Sequence, residues 1–129
     1  MKALLSIKPE YVEKIISGEK EYEYRKRIFK QKIKSVIIYC TMPVGEIIGE
    51  FTIDDIINDT PDNIWAKTKD KSGISYEFFQ EYFDDKEKGY AVKIKKLNIY
   101  NKSVSRDSLP EFSAPQSFKY VEDSFAFSW

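Results

Sequence analysis

The segment Gly18-Glu19-Lys20-Glu21-Tyr22-Glu23-Tyr24-Arg25 leads from the first helix of the chain into a strand, and its spacing is G-x-K-x-x-E-x-R. From Lys20 to Arg27 charged and aromatic residues alternate, which is typical of a strand. In a regular strand Glu23 and Arg25 share one face, whereas Lys20 lies on the other. A single cleft that uses both Lys20 and Glu23 therefore requires the turn after Gly18 to redirect Lys20.

The residues before this segment predict a short strand and an amphipathic helix. Ala3–Ile7 has the apolar character of a strand, and Pro9 stands where the first helical turn tolerates a missing N–H. Apolar residues then recur at helical spacing up to Gly18, a typical C-terminal stop. These apolar residues are Tyr11, Val12, Ile15 and Ile16.

The residues after the segment predict further strands and a helical insertion. Strands are expected at 36–40, 46–53, 90–100 and 118–121, with a bulge near Lys95-Lys96 where the alternation slips. Thr60 and Ser75 are candidate caps of two short helices in the insertion. The second helix, over 76–83, carries an aromatic stripe that we expect to be core, with a ligand-binding surface as the alternative: Phe78, Phe79, Tyr82 and Phe83. This pattern predicts an α+β fold, mainly β, built on a strongly bent sheet or open barrel.

The composition excludes several classes of chemistry. The chain has 129 residues, no histidine and one cysteine, Cys40. An internal disulfide, a Cys-pair zinc site and the Ser-His-Asp and Cys-His arrangements are therefore excluded. The glycines do not take the spacing of a phosphate loop. We expect no metal and no cofactor, and any catalysis must use Lys, Glu, Asp, Tyr, Ser or Thr.

The chain also has no long apolar segment. Its longest uninterrupted apolar run, Val36–Cys40, is far shorter than the ~20 residues of a membrane-spanning helix. Together with the single cysteine, this predicts a cytoplasmic protein that does not contact a membrane.

The net charge of zero conceals an uneven distribution. Residues 1–39 contain 10 basic and 5 acidic groups, whereas residues 46–87 contain 4 basic and 12 acidic groups. The basic run Arg25-Lys26-Arg27, continued by Lys30, is a candidate contact for nucleic acid. An ordinary solvated surface is the alternative.

The order of these features resembles the ASCH family, named for activating signal cointegrator homology and related to the PUA domains of RNA-modifying proteins. The resemblance rests on G-x-K-x-x-E-x-R, on Ser6-Ile7-Lys8-Pro9, on residues 39–51 and on Pro115-Gln116-Ser117-Phe118-Lys119-Tyr120. It implies one domain over residues 1–122 with a PUA-like open β-barrel. It also implies a basic cleft that binds RNA or a modified nucleoside or nucleotide. The protein would then act in RNA metabolism or as a transcriptional regulator.

The resemblance and the side-chain chemistry together define candidate binding residues. Lys20 and Arg25 suit phosphate, while Glu23 either accepts from a base amino group or holds Arg25. The alternatives are a solvated Lys20 and a buried Glu23–Arg25 ion pair that closes the barrel. Tyr22, Tyr24 and Tyr39 suit stacking on bases. The predicted binding set is Lys8, Lys20, Glu23, Arg25, Tyr39, Gln116 and Ser117, with Lys26, Arg27 and Lys30 as peripheral basic contacts.

Two enzymatic activities stand as alternatives to binding. Some bacterial ASCH proteins are amidohydrolases of N4-acylated cytidine that use a Lys and a Thr of this motif; here Lys20 matches the Lys, but Glu23 occupies the Thr position. A carboxylate does not simply replace a hydroxyl nucleophile, so Lys20 and Glu23 are catalytic candidates only if Ser6, Thr41 or Ser117 supplies a hydroxyl or Glu23 activates water. A ribonuclease would use Lys20 and Arg25 to stabilise a phosphorane-like state.

Residues 123–129 form an aromatic tail beyond the family-like region. Phe125, Phe127 and Trp129 alternate as in a strand. We expect them to pack back on the barrel. The alternative is a strand that pairs with a partner's sheet edge, giving a weak homo-oligomer.

Overall fold

Six strands form one mixed sheet in the computed structural model, which describes residues 1–109 and 111–125. The strands are β1 (Lys2–Ile7), β2 (Tyr22–Arg25), β3 (Val36–Cys40), β4 (Glu46–Asp59), β5 (Gly89–Ser105) and β6 (Phe118–Val121). Their order across the sheet is β2-β5-β4-β3-β1-β6. β1 pairs parallel with β3, and the other neighbouring strands are antiparallel.

Within the described ranges three α-helices accompany the sheet: α1 (Pro9–Ser17), α2 (Pro61–Thr68) and α3 (Tyr76–Tyr82). The predicted caps are confirmed, because the side chains of Thr60 and Ser75 accept hydrogen bonds from the N–H groups of Asn63 and Phe78. Gly18 ends α1 in the left-handed conformation, with φ of 85°. None of the helices in the described ranges is long and apolar enough to cross a membrane.

β4 and β5 are longer than the sequence predicts. β4 continues past Ile53 through a polar stretch, because residues 55–59 pair with residues 89–93 of β5. The predicted bulge is confirmed: Thr52 pairs with Lys96 and Ile53 with Ile94, so Lys95 has no partner in the register. The paired β4 and β5 carry the insertion that contains α2 and α3 at their far end.

The sheet bends until its two edge strands approach each other. β2 and β6 stand at opposite ends of the strand order, yet Nη2 of Arg25 in β2 donates to Oγ of Ser117, which directly precedes β6, at 2.9 Å. The backbone N–H of Lys30, which follows β2, donates to the hydroxyl of Tyr120 in β6 at 2.8 Å. These contacts define a half-barrel, which agrees with the predicted α+β, mainly β, open-barrel architecture.

Both faces of the sheet are buried at its centre. On one face α1 packs over β1 and β3, with Val12 and Ile15 among the buried residues. The other face holds a second cluster around Leu4, Ile37 and Tyr39, and Phe125 packs against it. Phe125 therefore packs back on the barrel as expected. The predictions for Phe127 and Trp129 concern residues outside the described ranges.

The insertion packs on the β2–β5 side of the sheet. Its residues Ile64, Phe79 and Phe83 form a third cluster with Tyr24 of β2 and Ala91 of β5. The ring centroids of Tyr24 and Phe79 lie 5.0 Å apart in an edge-on arrangement, which is favourable for aromatic pairs. This packing places the insertion beside the G-x-K-x-x-E-x-R segment.

Candidate functional site

A cleft with a volume of about 290 Å³ opens where three parts of the chain meet. These parts are the junction of β1 and α1, the G-x-K-x-x-E-x-R segment, and the insertion. Its lining residues include Lys8, Tyr11, Lys20, Glu23, Tyr24, Arg25, Phe78 and Tyr82. We call this space the motif cleft.

Lys20 reaches the motif cleft because it lies outside β2. The strand begins at Tyr22, so strand alternation does not govern Lys20, and the turn after Gly18 redirects it as the cleft requires. Its side chain is only 3% exposed. Nζ donates to the carbonyl oxygen of Ser72 at 2.9 Å and stands 4.7 Å from the centre of the Tyr24 ring. Lys20 is thus held by a carbonyl dipole and an aromatic face.

Burial also changes the protonation of Lys20. Loss of solvation lowers the pKa of its ammonium group from 10.5 to about 8, which Lys14 reinforces, whereas the negative charge of Glu23 works in the opposite direction. An anion entering the cleft would stabilise the ammonium form in the same way as Glu23 does. The site therefore combines the cationic side chain of Lys20 with less negative charge than would fully offset its burial.

Gly73 of the insertion packs directly against Lys20. Gly73 has φ of 68°, and a Cβ added there would overlap Cβ of Lys20 and lie 2.8 Å from its Cγ. The insertion also accepts a hydrogen bond at the carbonyl of Lys71 from the N–H of Glu21. On the other side, the N–H of Lys20 donates to the carbonyl of Lys14 in α1. The insertion and α1 therefore clamp Lys20 from both sides.

Glu23 and Arg25 lie side by side on β2 and both face the motif cleft. Nη1 of Arg25 lies 3.3 Å from Oε2 of Glu23, and the two residues are 9% and 7% exposed. Nη2 donates to Ser117, whereas Nε is buried without a hydrogen-bond partner in the part of the chain that the structure describes. The ion pair considered from the sequence is therefore present and lines the cleft, but it lies within β2, and the bond from Arg25 to Ser117 is the contact that joins the two edges of the half-barrel.

Aromatic side chains of α1 and α3 complete the cleft, whereas the sequence pattern assigns them to the apolar face of a helix and to the core. Tyr11 and Phe78 lie with their ring centroids 5.5 Å apart, and Tyr82 lines the same space. The expected aromatic core of α3 is divided, because Phe79 and Phe83 are buried while Phe78 and Tyr82 are half-buried at the cleft. Helical spacing predicts that all four side chains share one face. In the structure one side of that face packs into the core and the other side lines the motif cleft.

The phenols around the cleft are held in their neutral form. Burial raises the pKa of Tyr24 to about 12, although its hydrogen bonds with Thr68 and Ser72 act in the opposite direction. Burial also raises the pKa of Tyr11 and of Tyr82. At neutral pH these groups can stack or donate hydrogen bonds, and they add no negative charge to the cleft.

The remaining predicted binding residues are distributed unevenly. Lys8 is exposed and lines the motif cleft, with Nζ 5.9 Å from the centre of the Phe78 ring. Ser117 takes part only through its bond from Arg25, and Gln116 is exposed and outside the cleft lining. Tyr39 lies in the cluster on the other face of the sheet, where its hydroxyl accepts from Nη1 of Arg106 at 3.0 Å.

Tyr39 is absent from the cleft because its side chain lies on the opposite face of the sheet. The sequence could not show this, since β3 is buried on both faces. All five residues of Val36–Cys40 are buried, so the apolar run carries no sign of which face is which. Successive side chains alternate, and the position that faces the cleft side of β3 is not that of Tyr39.

The peripheral basic residues line a second cleft. Lys26, Arg27 and Lys30 meet Tyr90, Phe118 and Tyr120 around a space of about 610 Å³ beside the joined edge strands. We call this space the seam cleft. Lys26 also stands 4.7 Å above the ring of Tyr82, which lines the motif cleft. The structure therefore places the predicted basic contacts next to the motif cleft but in a separate space.

A family model, a curated relative and a solved structure identify the same family. A family model described as the ASCH domain matches residues 5–99. An ASCH domain-containing ribonuclease of Zymomonas mobilis is 28% identical over 124 residues, covering 92% of this chain and 83% of that protein. The crystal structure of ASCH from Zymomonas mobilis matches with a TM-score of 0.87 at 25% identity, over 95% of this chain and 89% of that one. The chain also matches 33% of the length of the large ribosomal subunit protein uL22 of Ureaplasma parvum, at 26% identity.

The protonation of Lys20 can be measured directly. In a ¹³C NMR titration of the lysine side chains, we expect Lys20 to have a pKa of about 8 instead of 10.5, because it is buried. Glu23→Gln should lower the value further, since it removes the charge that favours the ammonium form. Because the folded protein binds fewer protons than the unfolded chain between about pH 8 and 10.5, Lys20 should make unfolding less favourable as pH rises through that window. A pKa near 10.5 in the folded protein would contradict this account.

The clamp on Lys20 can be tested with two glycine substitutions. Gly18→Ala and Gly73→Ala each place a side chain at positive φ, which costs roughly 1–2 kcal/mol. Only the second also overlaps Lys20, because a Cβ at Gly18 meets no atom of the described residues within 4 Å. Urea denaturation should therefore show a larger loss for Gly73→Ala, accompanied by a shifted Lys20 resonance. Equal losses and an unchanged resonance would show that Gly73 does not hold Lys20.

Proposed function

The chain belongs to the ASCH domain family, and we propose that its motif cleft binds single-stranded RNA by holding one nucleotide. The observation that carries this proposal is the burial of two cationic side chains, Lys20 and Arg25, with one carboxylate, Glu23, beside aromatic rings. Buried charges are normally paired, and the excess positive charge favours an anionic ligand. A nucleotide offers both the anion and a flat ring.

Phosphate is the group that best suits the cationic side of the cleft. Arg25 presents a planar fork and Lys20 a compact ammonium group, the two ways in which proteins commonly hold phosphate oxygens. The unpaired Nε of Arg25 supports this assignment, because a buried N–H without a partner is unfavourable until a ligand or water accepts from it. Exposed Lys8 adds positive charge at the rim.

A base suits the aromatic side of the cleft. Stacking on aromatic side chains contributes about 1–3 kcal/mol per base, and half-buried Tyr11, Phe78 and Tyr82 offer ring faces or edges. The volume of about 290 Å³ lies at the small end of ligand-binding pockets, which favours one nucleotide over a folded RNA element. The carboxylate of Glu23 is available as an acceptor for a base amino group as well as a partner of Arg25.

Ribonuclease activity is the second candidate function. Two observations favour it: the relative of Zymomonas mobilis is named a ribonuclease, and the pKa of Lys20 is lowered to about 8. An amine with this pKa is partly neutral near pH 8, so it can take the proton from a ribose 2′-hydroxyl that attacks the phosphate. The P–O5′ bond then breaks and the departing 5′-oxygen takes a proton from water, while Arg25 stabilises charge on the phosphate. Amidohydrolysis of an acylated cytidine is less well supported, because Glu23 is engaged with Arg25 and is not a hydroxyl nucleophile.

Binding should be measured by fluorescence anisotropy with a labelled random-sequence hexaribonucleotide. We expect Lys20→Ala and Arg25→Ala each to weaken binding at least tenfold, because each removes a buried cation from the cleft. Lys95→Ala is the matched control, since Lys95 is an exposed lysine outside both clefts. The affinity should also fall with salt, with a slope of about −0.7 in log K against log[salt] per phosphate contact. Absence of binding at low salt, or equal losses in all three variants, would overturn the proposal.

Cleavage should be tested with the same hexaribonucleotide at high protein concentration. If Lys20 acts as the base, the rate should rise with pH through about 8, and Lys20→Arg should abolish cleavage while retaining positive charge. Cleavage that persists in both Lys20→Arg and Arg25→Ala would not come from this cleft. No cleavage by the unmodified protein would leave binding as its activity toward RNA.

A further inference from the structure

We propose that the seam cleft binds the next nucleotide of the strand whose first nucleotide occupies the motif cleft. The preferred ligand is then an RNA strand of at least two nucleotides, not a free nucleoside. This inference rests on the proposed function of the motif cleft. It adds a second subsite, built from residues that belong to neither the buried charge cluster nor the aromatic side of the motif cleft.

The two clefts adjoin at the contact that closes the half-barrel. Arg25 lines the motif cleft and the next residue, Lys26, lines the seam cleft. Ser117 accepts from Arg25, and the next residue, Phe118, lines the seam cleft. Consecutive Cα atoms are about 3.8 Å apart, so the Arg25–Ser117 bond stands next to both spaces: Arg25 lines one of them, and Lys26 and Phe118 line the other.

The seam cleft has the chemistry that a nucleotide requires. Among the described residues, three cationic side chains and no acidic one line it, and none of Lys26, Arg27 and Lys30 forms an ion pair there. Half-buried Tyr90 and Tyr120 supply ring surface beside these cations. A groove that combines positive charge with aromatic rings is the usual arrangement for tracking single-stranded nucleic acid.

Part of the seam cleft is already held in place. The hydroxyl of Tyr120 accepts hydrogen bonds from the backbone N–H groups of Lys30 and Gln31, at 2.8 Å and 3.2 Å. Phe118 packs edge-on against Tyr120, with ring centroids 5.6 Å apart. These contacts hold the segment of Lys30 and Gln31 against β6. Ligand binding therefore loses less conformational entropy than it would if this segment were free.

Tyr82 links the two clefts physically. It lines the motif cleft, and Nζ of Lys26 stands 4.7 Å from the centre of its ring. A strand that leaves the motif cleft past Tyr82 would therefore meet the charge of Lys26 first. The position of this lysine suits the phosphate that joins the two nucleotides.

The experiment compares ligands of different length on matched charge variants. The ligands are the four nucleoside 5′-monophosphates, measured by calorimetry, and a labelled random-sequence hexaribonucleotide, measured by anisotropy. The seam variant is Lys26→Ala/Arg27→Ala/Lys30→Ala. The control variant, Lys88→Ala/Lys95→Ala/Lys102→Ala, removes the same charge from exposed lysines that line neither cleft.

We expect the unmodified protein to bind the hexaribonucleotide at least tenfold more tightly than the best monophosphate. The seam variant should lose most of this advantage and keep its affinity for the monophosphate within about twofold, whereas the control variant should keep both. Because cations that contact phosphate set the salt dependence, the seam variant should also show a shallower salt slope for the hexaribonucleotide.

The outcomes separate the two proposals. Equal affinity for monophosphate and hexaribonucleotide, or equal losses in the seam and control variants, would overturn the second subsite and leave the motif cleft intact. Loss of hexaribonucleotide binding in the seam variant, without any effect of Lys20→Ala or Arg25→Ala, would overturn the proposed function of the motif cleft instead. If a polyglutamate peptide bound the seam cleft and the hexaribonucleotide did not, the cleft would be a protein-docking surface and the inference would fail.

Discussion

The hydrogen bond from Arg25 to Ser117 is the contact on which the arrangement of this protein depends. It joins residues at the two opposite edges of one six-stranded sheet, and it therefore exists only if the sheet bends into a half-barrel. The same guanidinium group pairs with Glu23 on its own strand. A buried guanidinium group requires such partners, because an unpaired charge in the interior is strongly unfavourable. Closure of the barrel and burial of Arg25 therefore depend on each other. The two clefts lie on either side of the Arg25–Ser117 bond.

The insertion between β4 and β5 supplies what the barrel alone does not. It brings the carbonyl of Ser72 to the ammonium group of Lys20, and it packs Gly73 against the same side chain. It also contributes Phe78 and Tyr82 to the motif cleft, while Phe79 and Phe83 anchor α3 in the core. The consequence is electrostatic: Lys20 is shielded from water, its pKa falls to about 8, and its charge is incompletely compensated by the protein. The insertion, which is acidic in its sequence, therefore forms one side of a cleft whose charge is positive.

Much of the local structure could be predicted because it depends on neighbouring residues. Pro9 and Gly18 bound α1, Thr60 and Ser75 cap the insertion helices, and the slip in alternation marks the bulge at Lys95. The full length of β4 and β5 could not be predicted, since polar residues beyond Ile53 are held by pairing with a distant strand. The faces of β3 and the division of the α3 stripe also depend on what packs against them, and hence on the whole fold.

The sequence by itself determined the family and the α+β class, and it marked Lys20, Glu23 and Arg25 as members of one motif, because spacing and side-chain type along a short segment carry that information. Only the tertiary structure decided that Lys20 turns into the same cleft as Glu23, that Tyr39 lies on the other face, and that Ser117 meets Arg25. The reason is that these contacts join residues far apart in the chain. They follow from strand order and sheet curvature, which many weak packing interactions set together and no local pattern encodes.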